Sequence, residues 1–216
     1  MAHSGTGIFL DLDGTLANSL KVMRIAYNSF LDRFGKLGSD AEFSYLNGPP
    51  LSEIVQYLGA KHELSKPHEE LLTVYRQIIK ELYLDVIPNA GATDLLNKAK
   101  LSGHKTGVVT SNSIEQARHW LRQVDLIEKI DIIVASDDVR CGKPAPEPYL
   151  LALERAECAA RKSFAVEDSL SGARAALSAG IPTFLLSSDP DGTLPGTMTV
   201  SNLGAVATRI YPAFPK

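Results

Sequence analysis

The sequence contains little cysteine and no long hydrophobic segment. Its 216 residues include two cysteines, Cys141 and Cys158, which are too few for a disulfide framework and lack the spacing of metal ligands. No apolar run approaches the length that spans a bilayer, and the first residues have neither the basic nor the apolar region of a signal peptide. We therefore expect reduced thiols, no membrane partner and a cytoplasmic location.

The sequence also lacks an excess of charge of either sign. Lys and Arg number 22 against 25 Asp and Glu, which gives a formal net charge of −3, and no run of basic residues forms a stripe. A protein that binds nucleic acid ordinarily has such a basic surface, so we expect no nucleic-acid partner. With 44% hydrophobic residues, the chain can bury a core as one domain, or as one domain with a sizeable insertion.

Short apolar segments alternate with helical patterns along much of the chain. Strands are predicted at 8–12, 105–111, 131–136, 163–168 and 182–186, and helices at 113–124, 145–158 and 169–179. This alternation predicts an α/β fold with a Rossmann-like, doubly wound parallel sheet. In such sheets ligands bind at the carboxyl ends of the strands.

The region after the first strand has a different pattern. Apolar residues recur every three or four positions in the segments SLKVMRIAYNSFLDRFG, LSEIVQYLGA and PHEELLTVYRQIIKELYL. This spacing is typical of amphipathic helices, and Pro88 and Gly91 mark the return to the sheet. We predict an all-helical cap at 17–85, inserted into a core that consists of 1–16 and 86–216.

Two acids follow the first strand one residue apart. Asp11 and Asp13 close the segment IFLDLD and are followed at once by Gly14 and Thr15. Like charges this close repel, and the repulsion grows as water is excluded. Either both acids face bulk water, as in the solvated turn that Asp-x-Asp-Gly most often forms, or a positive charge lies between them.

Polar side chains also follow the other predicted strands. They are a hydroxyl and amide run, a lysine in the segment CGKPAPEP and an acid pair: Thr110, Ser111, Asn112, Lys143, Glu167 and Asp168. Each alone has an ordinary explanation as a helix cap, a surface lysine or a helix start. Because parallel strands end at one edge of the sheet, carboxylates, hydroxyls and an ammonium would converge there. Such a set suits Mg²⁺ together with a phosphoryl group.

The four segments, in this order, resemble the motifs of a known family. DLDGT, TSN, GKPAPEP and VEDS are similar to the four motifs of the haloacid dehalogenase superfamily of phosphatases. The motif matches lie within 7–20 and 105–186, and the helical insertion resembles the cap of the phosphoglycolate phosphatase and β-phosphoglucomutase branches. Four ordered motifs at predicted strand ends are a specific signal, whereas any one alone would be weak.

The resemblance implies a role for each residue of the first motif. Asp11 would be the nucleophile that attacks phosphorus and forms an aspartyl-phosphate. Asp13 would protonate the leaving oxygen and then activate water, and its backbone carbonyl would bind the metal. Gly14 would permit the tight backbone after the strand, and Thr15 would orient Asp13.

The resemblance implies further roles for the later motifs. Ser111 and Thr110, with the backbone of Asn112, would hold the phosphoryl oxygens. Lys143 would neutralise charge on the phosphate and on the nucleophile. The cofactor would be Mg²⁺, with Glu167 either a ligand or an acid that supports the ligands. The implied metal residues are Asp11, Asp13, Asp168 and Glu167.

The resemblance implies an enzyme that acts on a small phosphorylated metabolite, and it leaves a phosphatase and a phosphomutase open. The acid at Asp13 favours phosphate esters over the dehalogenase and phosphonatase branches, which lack an acid there. The segment from Asp40 to Ala60 has no Arg or Lys to hold a second phosphate, which favours the phosphatase. A receiver-like domain would carry its acceptor on a later strand, and a non-catalytic phosphate-binding module is expected to lose a motif residue. Residues 46–49 are expected at the mouth of the site.

Overall fold

One parallel sheet forms the centre of the structure. The computed structural model describes residues 4–187 and 193–212. In chain order the strands are β1 (Gly7–Leu10), β2 (Lys105–Val109), β3 (Ile132–Val134), β4 (Phe164–Glu167), β5 (Thr183–Leu186) and β6 (Thr197–Val200). They lie in the order β3-β2-β1-β4-β5-β6, and all neighbours are parallel. The predicted Rossmann-like parallel sheet is confirmed.

Helices lie between most of the consecutive strands in the described part of the chain. The first four are α1 (Leu20–Asp32), α2 (Asp40–Tyr45), α3 (Leu51–Lys61) and α4 (His68–Leu82). The others are α5 (Ala92–Leu101), α6 (Ile114–Gln123), α7 (Glu147–Arg155), α8 (Leu170–Ser178) and α9 (Leu203–Ile210). The sequence patterns predicted α1, α3, α4, α6, α7 and α8, whereas they did not predict α2, α5, α9 or strand β6.

Both faces of the sheet are covered, as a doubly wound fold requires. Along β1, Phe9 packs on one face of the sheet, whereas Ile8 and Leu10 pack on the other. Helices α7 and α8 cover the Phe9 face, and α5, α6 and α9 cover the opposite face. All three side chains are fully buried. A strand that is covered on both sides needs a continuous apolar sequence rather than an alternating one.

Helices α1 to α4 form the cap that the sequence predicted after the first strand. Phe30 of α1 stacks on Tyr75 of α4 with ring centroids 4.6 Å apart, and Val55 and Leu58 of α3 are buried in the same apolar cluster. The domain boundaries at 17–85 stay a prediction. None of the described helices combines the length and the apolar character needed to cross a membrane.

The chain enters and leaves the cap through two segments that lie side by side. Ala17 forms an antiparallel bridge with Pro88. The side-chain amide of Asn89 donates hydrogen bonds to the carbonyl oxygens of Gly14, at 3.0 Å, and Thr15, at 2.8 Å. The returning segment is therefore tied to the loop after β1, which carries the first acid pair.

Candidate active site

Strand β1 brings the first acid pair to the centre of the carboxyl edge. The backbone N–H of Asp11 donates to the Val166 carbonyl oxygen at 3.0 Å, which continues the pairing with β4 past the end of β1. Gly14, directly after Asp13, has a φ of +79°, and a Cβ there would lie 2.1 Å from Asp168 Oδ2. Glycine adopts this conformation without strain and leaves room for the other acid.

A buried lysine lies between two of the acids. Lys143 Nζ is 2.6 Å from Asp11 Oδ1 and 2.6 Å from Glu167 Oε1, and it donates to the Val109 carbonyl oxygen at 2.9 Å. Burial disfavours its charged form, but the two carboxylates outweigh burial and raise the pKa of Lys143. Burial raises the pKa of Asp11 well above its usual range, against the opposing effect of Lys143. The ammonium is therefore held charged and in place.

Strand β4 brings the second acid pair to the same edge. Glu167 is fully buried and accepts a hydrogen bond from the Tyr149 hydroxyl at 2.5 Å. Gly172 of α8 leaves room for this carboxylate, since a Cβ there would lie 2.1 Å from Glu167 Oε2. Asp168 accepts a hydrogen bond from Asn47 Nδ2 of the cap at 3.2 Å. Burial and the neighbouring Glu167 carboxylate raise the pKa of Asp168 to about 7.

Three of the carboxylates are close enough to share a metal ion. One oxygen each from Asp11, Glu167 and Asp168 lies within 4.8 Å of the others. Lys143 brings a single positive charge to these three carboxylates, so negative charge is in excess. After burial, the neighbouring carboxylates contribute to the raised pKa values of Asp11 and Asp168. Because Glu167 already faces Lys143 and Tyr149, Asp11 and Asp168 are the better placed donors. Oxygen donors with excess negative charge fit a hard divalent cation.

Two side chains hold the two oxygens of Asp13. The Tyr83 hydroxyl donates to Oδ1 at 2.6 Å, and Asn112 Nδ2 donates to Oδ2 at 2.5 Å. Burial, followed by the Asp13 charge, raises the pKa of Tyr83 well above its usual range, so its hydroxyl stays protonated and donates. The Thr15 hydroxyl, which was expected to orient Asp13, is buried without a hydrogen-bond partner among the described residues, and its role stays a prediction.

The segment after β2 lies directly beneath the cap. The Ser111 hydroxyl donates to the Gly48 carbonyl oxygen at 2.8 Å, and the Asn112 N–H donates to Thr110 Oγ1 at 3.1 Å. The hydrogen bond from Ser111 to Gly48 and the contact between Asn47 and Asp168 hold the cap loop at 46–49 over the site. The structure therefore describes the cap in a closed position.

The cap and the carboxyl edge enclose a cavity of about 80 Å³. Six of the predicted site residues line it, namely Asp11, Asp13, Thr110, Ser111, Asn112 and Asp168. The segment 46–49, which was expected at the mouth of the site, lines it as well. Lys143 and Glu167 do not line the cavity; Lys143 pairs with the lining residue Asp11, and Glu167 pairs with Lys143.

Most of the chain matches a known protein family. A family model described as haloacid dehalogenase-like hydrolase matches residues 8–186. The chain belongs to this family. It is 32% identical over 182 residues to the phosphorylated carbohydrates phosphatase of Thermotoga maritima, with 81% of each chain covered. It is also 32% identical over 193 residues to a phosphoglycolate phosphatase of Nitrosospira multiformis, with 82% of this chain and 81% of that protein covered.

Solved structures show the same fold. A crystal structure of β-phosphoglucomutase from Clostridium difficile superposes with a TM-score of 0.83 at 17% identity, covering 97% of this chain and 95% of that chain. At this identity the likeness concerns the fold alone. The family identification and the prediction of a phosphoric monoester hydrolase are confirmed by the family match and by relatives named as phosphatases. The roles of individual residues stay predictions.

Two site contacts of this haloacid dehalogenase-like hydrolase were not predicted from its motifs. Tyr83 reaches Asp13 from 70 positions away, and Tyr149 reaches Glu167 from 18 positions away. Neither tyrosine belongs to a recognisable pattern. Only their positions in the chain could have indicated a role in the site: Tyr83 lies in the return from the cap, and Tyr149 lies in the first turn of the helix that follows GKPAPEP.

Proposed function

We propose that this chain is a magnesium-dependent phosphatase that hydrolyses a small phosphate monoester through an aspartyl-phosphate at Asp11. The observation that carries the proposal is the fixed pair of Asp11 and Lys143 at the wall of a capped cavity. Lys143 binds Oδ1, so attack on phosphorus falls to Oδ2. The relatives that are named as phosphatases support the same reaction.

The acid pair can perform both halves of the reaction. In the first half, Asp11 Oδ2 forms a bond to phosphorus as the bond from phosphorus to the ester oxygen breaks. Protonated Asp13 donates its proton to that oxygen, and the alcohol leaves. In the second half, the Asp13 carboxylate takes a proton from water as the water attacks phosphorus and the bond to Asp11 breaks. Inorganic phosphate leaves, and both acids return to their first states.

The neighbouring residues bind the phosphoryl group and neutralise its charge. Lys143 holds its charge beside Asp11 throughout, which disperses the negative charge of the transition state. The Ser111 hydroxyl, which donates to Gly48 in the closed structure, turns to a phosphoryl oxygen when substrate binds. Asp11 and Asp168 would hold Mg²⁺, which would supply further neutralisation of the phosphoryl oxygens.

The direct test is phosphate release from a panel of phosphate monoesters in water enriched in heavy oxygen. We expect the label in the released phosphate, because water attacks phosphorus in the second half of the reaction. Excess chelator is expected to lower the rate by at least about 100-fold, and added magnesium should restore it. Full turnover in chelator would contradict the metal proposal. Interconversion of two sugar phosphates with hardly any free phosphate would identify a phosphomutase instead.

Replacement of Tyr83 by Phe tests whether its hydroxyl positions Asp13. We expect kcat/KM to fall about 10- to 100-fold for an alkyl phosphate, whose leaving oxygen needs a proton, because loss of one of its two donors lets Asp13 turn. For p-nitrophenyl phosphate, whose leaving group departs without a proton, kcat/KM should change little. The measurement is kcat/KM for both esters.

The matched control for this variant is Tyr211→Phe. The Tyr211 hydroxyl also makes a 2.6 Å hydrogen bond to a side chain, His104, but at a distance from the site. We expect native kcat/KM for both esters in this control. An equal fall for both esters in Tyr83→Phe would show that Tyr83 acts on the structure of the site rather than on proton transfer.

A further inference from the structure

The cap forms an uncharged side of the cavity. All cap residues that line it have neutral side chains, and its apolar surface includes Met23, Phe43, Leu46, Leu51, Ile54 and Ile79. Two tyrosines complete this surface, and burial raises the pKa of Tyr27 to about 12 and also raises that of Tyr75. Both phenols are therefore neutral. Within the described residues, the cap offers this cavity neither a cation nor an anion.

Among the described residues, the core side of the cavity presents carboxylates and a single buried lysine. Asp11, Asp13 and Asp168 line it. Lys143, behind this wall, lies 2.6 Å from both Asp11 and Glu167 and has a side chain that is 2% exposed. The Lys143 ammonium is paired with these two acids, and a bound phosphoryl group would interact with the same ammonium. Lys143 and the proposed Mg²⁺ would both be engaged by these acids and by the phosphoryl group, so a second anion on the substrate would find no further cation among the described residues at this end.

Two basic residues of the cap, Arg24 and Lys61, form ion pairs. Arg24 lies 2.6 Å from Asp40 and covers the Tyr27 and Phe43 rings at 5.4 and 5.2 Å, without lining the cavity. Lys61 lies 2.9 Å from the buried Glu42. Turning either side chain towards the cavity would break its ion pair.

From these charges we infer that the substrate is a phosphate monoester of a neutral, largely apolar alcohol, an inference that rests on the proposed phosphatase function. The phosphoryl group occupies the core side, so the leaving group must face the cap wall. A carboxylate or a second phosphate there would lose its water, gain no counter-charge and lie near three carboxylates. A neutral leaving group meets no such penalty and gains apolar contact.

Phosphoglycolate and phosphoglycolamide test this inference, because they have the same shape and differ by one charge on the leaving group. We expect kcat/KM to be at least about 100-fold higher for the amide, since the anion is desolvated without a partner. Equal or higher kcat/KM for phosphoglycolate would overturn the inference. Release of phosphate from neither compound, nor from neutral alkyl phosphates, would overturn the proposed function itself.

A cation placed in the cap wall should weaken the preference for the neutral compound. Ile54→Lys puts a long, flexible ammonium at a half-buried position that lines the cavity, and we expect it to raise kcat/KM for phosphoglycolate relative to the amide by about 10-fold or more. Ile25→Lys is the matched control, because Ile25 is half exposed on α1 and does not line the cavity. The same shift in both variants, or no shift in Ile54→Lys, would contradict a preference set by the charge of the cavity wall.

Discussion

Asp11→Asn is expected to abolish phosphate release, with a loss in kcat on the order of 10⁴-fold or more. An amide is a poor nucleophile, and the replacement removes the atom that forms the bond to phosphorus. The fold should persist, because Asn has the shape of Asp and burial already opposes the Asp11 charge, as its raised pKa shows. The measurement is steady-state phosphate release together with a thermal melt.

The matched control for Asp11→Asn is Asp94→Asn. Asp94 also pairs with a lysine, Lys98, at 3.0 Å, but both side chains are exposed on α5. We expect this control to keep native turnover. Phosphate release near the native rate in Asp11→Asn, with the melting temperature preserved, would remove Asp11 from the role of nucleophile.

Lys143→Met is expected to lower both activity and stability. The replacement leaves the Asp11 and Glu167 carboxylates buried without the ammonium that lies 2.6 Å from each. Removing one partner of a buried ion pair costs about 3–5 kcal/mol of unfolding free energy. We expect Lys143→Met to lose this amount of stability near pH 8. Turnover should fall by a factor on the order of 10³ or more, because the charge at the phosphoryl group is lost. Denaturant unfolding and phosphate release measure the two effects.

The stability loss in Lys143→Met should depend on pH. Burial raises the pKa of Asp11 in the folded state, and the variant lacks the lysine that opposes this rise. The folded variant therefore binds more protons than the unfolded chain, so its stability falls as pH rises towards the raised pKa. The difference from the native protein should shrink as pH is lowered from 8 to 5. Lys98→Met, which breaks an exposed pair, should show a loss below about 1 kcal/mol at both pH values.

The sequence predicted those parts of the fold that have a strong local pattern. The buried strands are apolar runs, and the cap helices α1, α3 and α4 repeat an amphipathic pattern over several turns. Helix α2, with six residues, is too short for a helical period to emerge. Strand β6 has four residues at the edge of the sheet, of which the first three are partly exposed, and its sequence, TMTV, has no buried apolar run. Both owe their conformation to neighbours that the local sequence does not reveal.

The same reasoning separates the predicted and the missed parts of the site. A parallel sheet brings its strand ends together, so the convergence of Asp11, Lys143 and Asp168 follows from topology and needs no knowledge of side-chain positions. The support of Asp13 does not follow in this way. Tyr83 reaches it from the end of the cap, and its place depends on how the returning segment packs. The family resemblance suggested Thr15, two residues after Asp13, for this support.

The central position of β1 has a consequence for the order of folding. Gly7 pairs with Lys105 on one side, and Ile8 pairs with Phe164 on the other. During synthesis, β1 cannot pair on both sides until β2 and then β4 have been made. The cap helices contact one another over much shorter sequence separations. Contacts of long sequence separation form slowly, and unpaired strands are prone to aggregation. The strand that leads into the nucleophile is thus the segment that depends longest on protection from aggregation in the nascent chain.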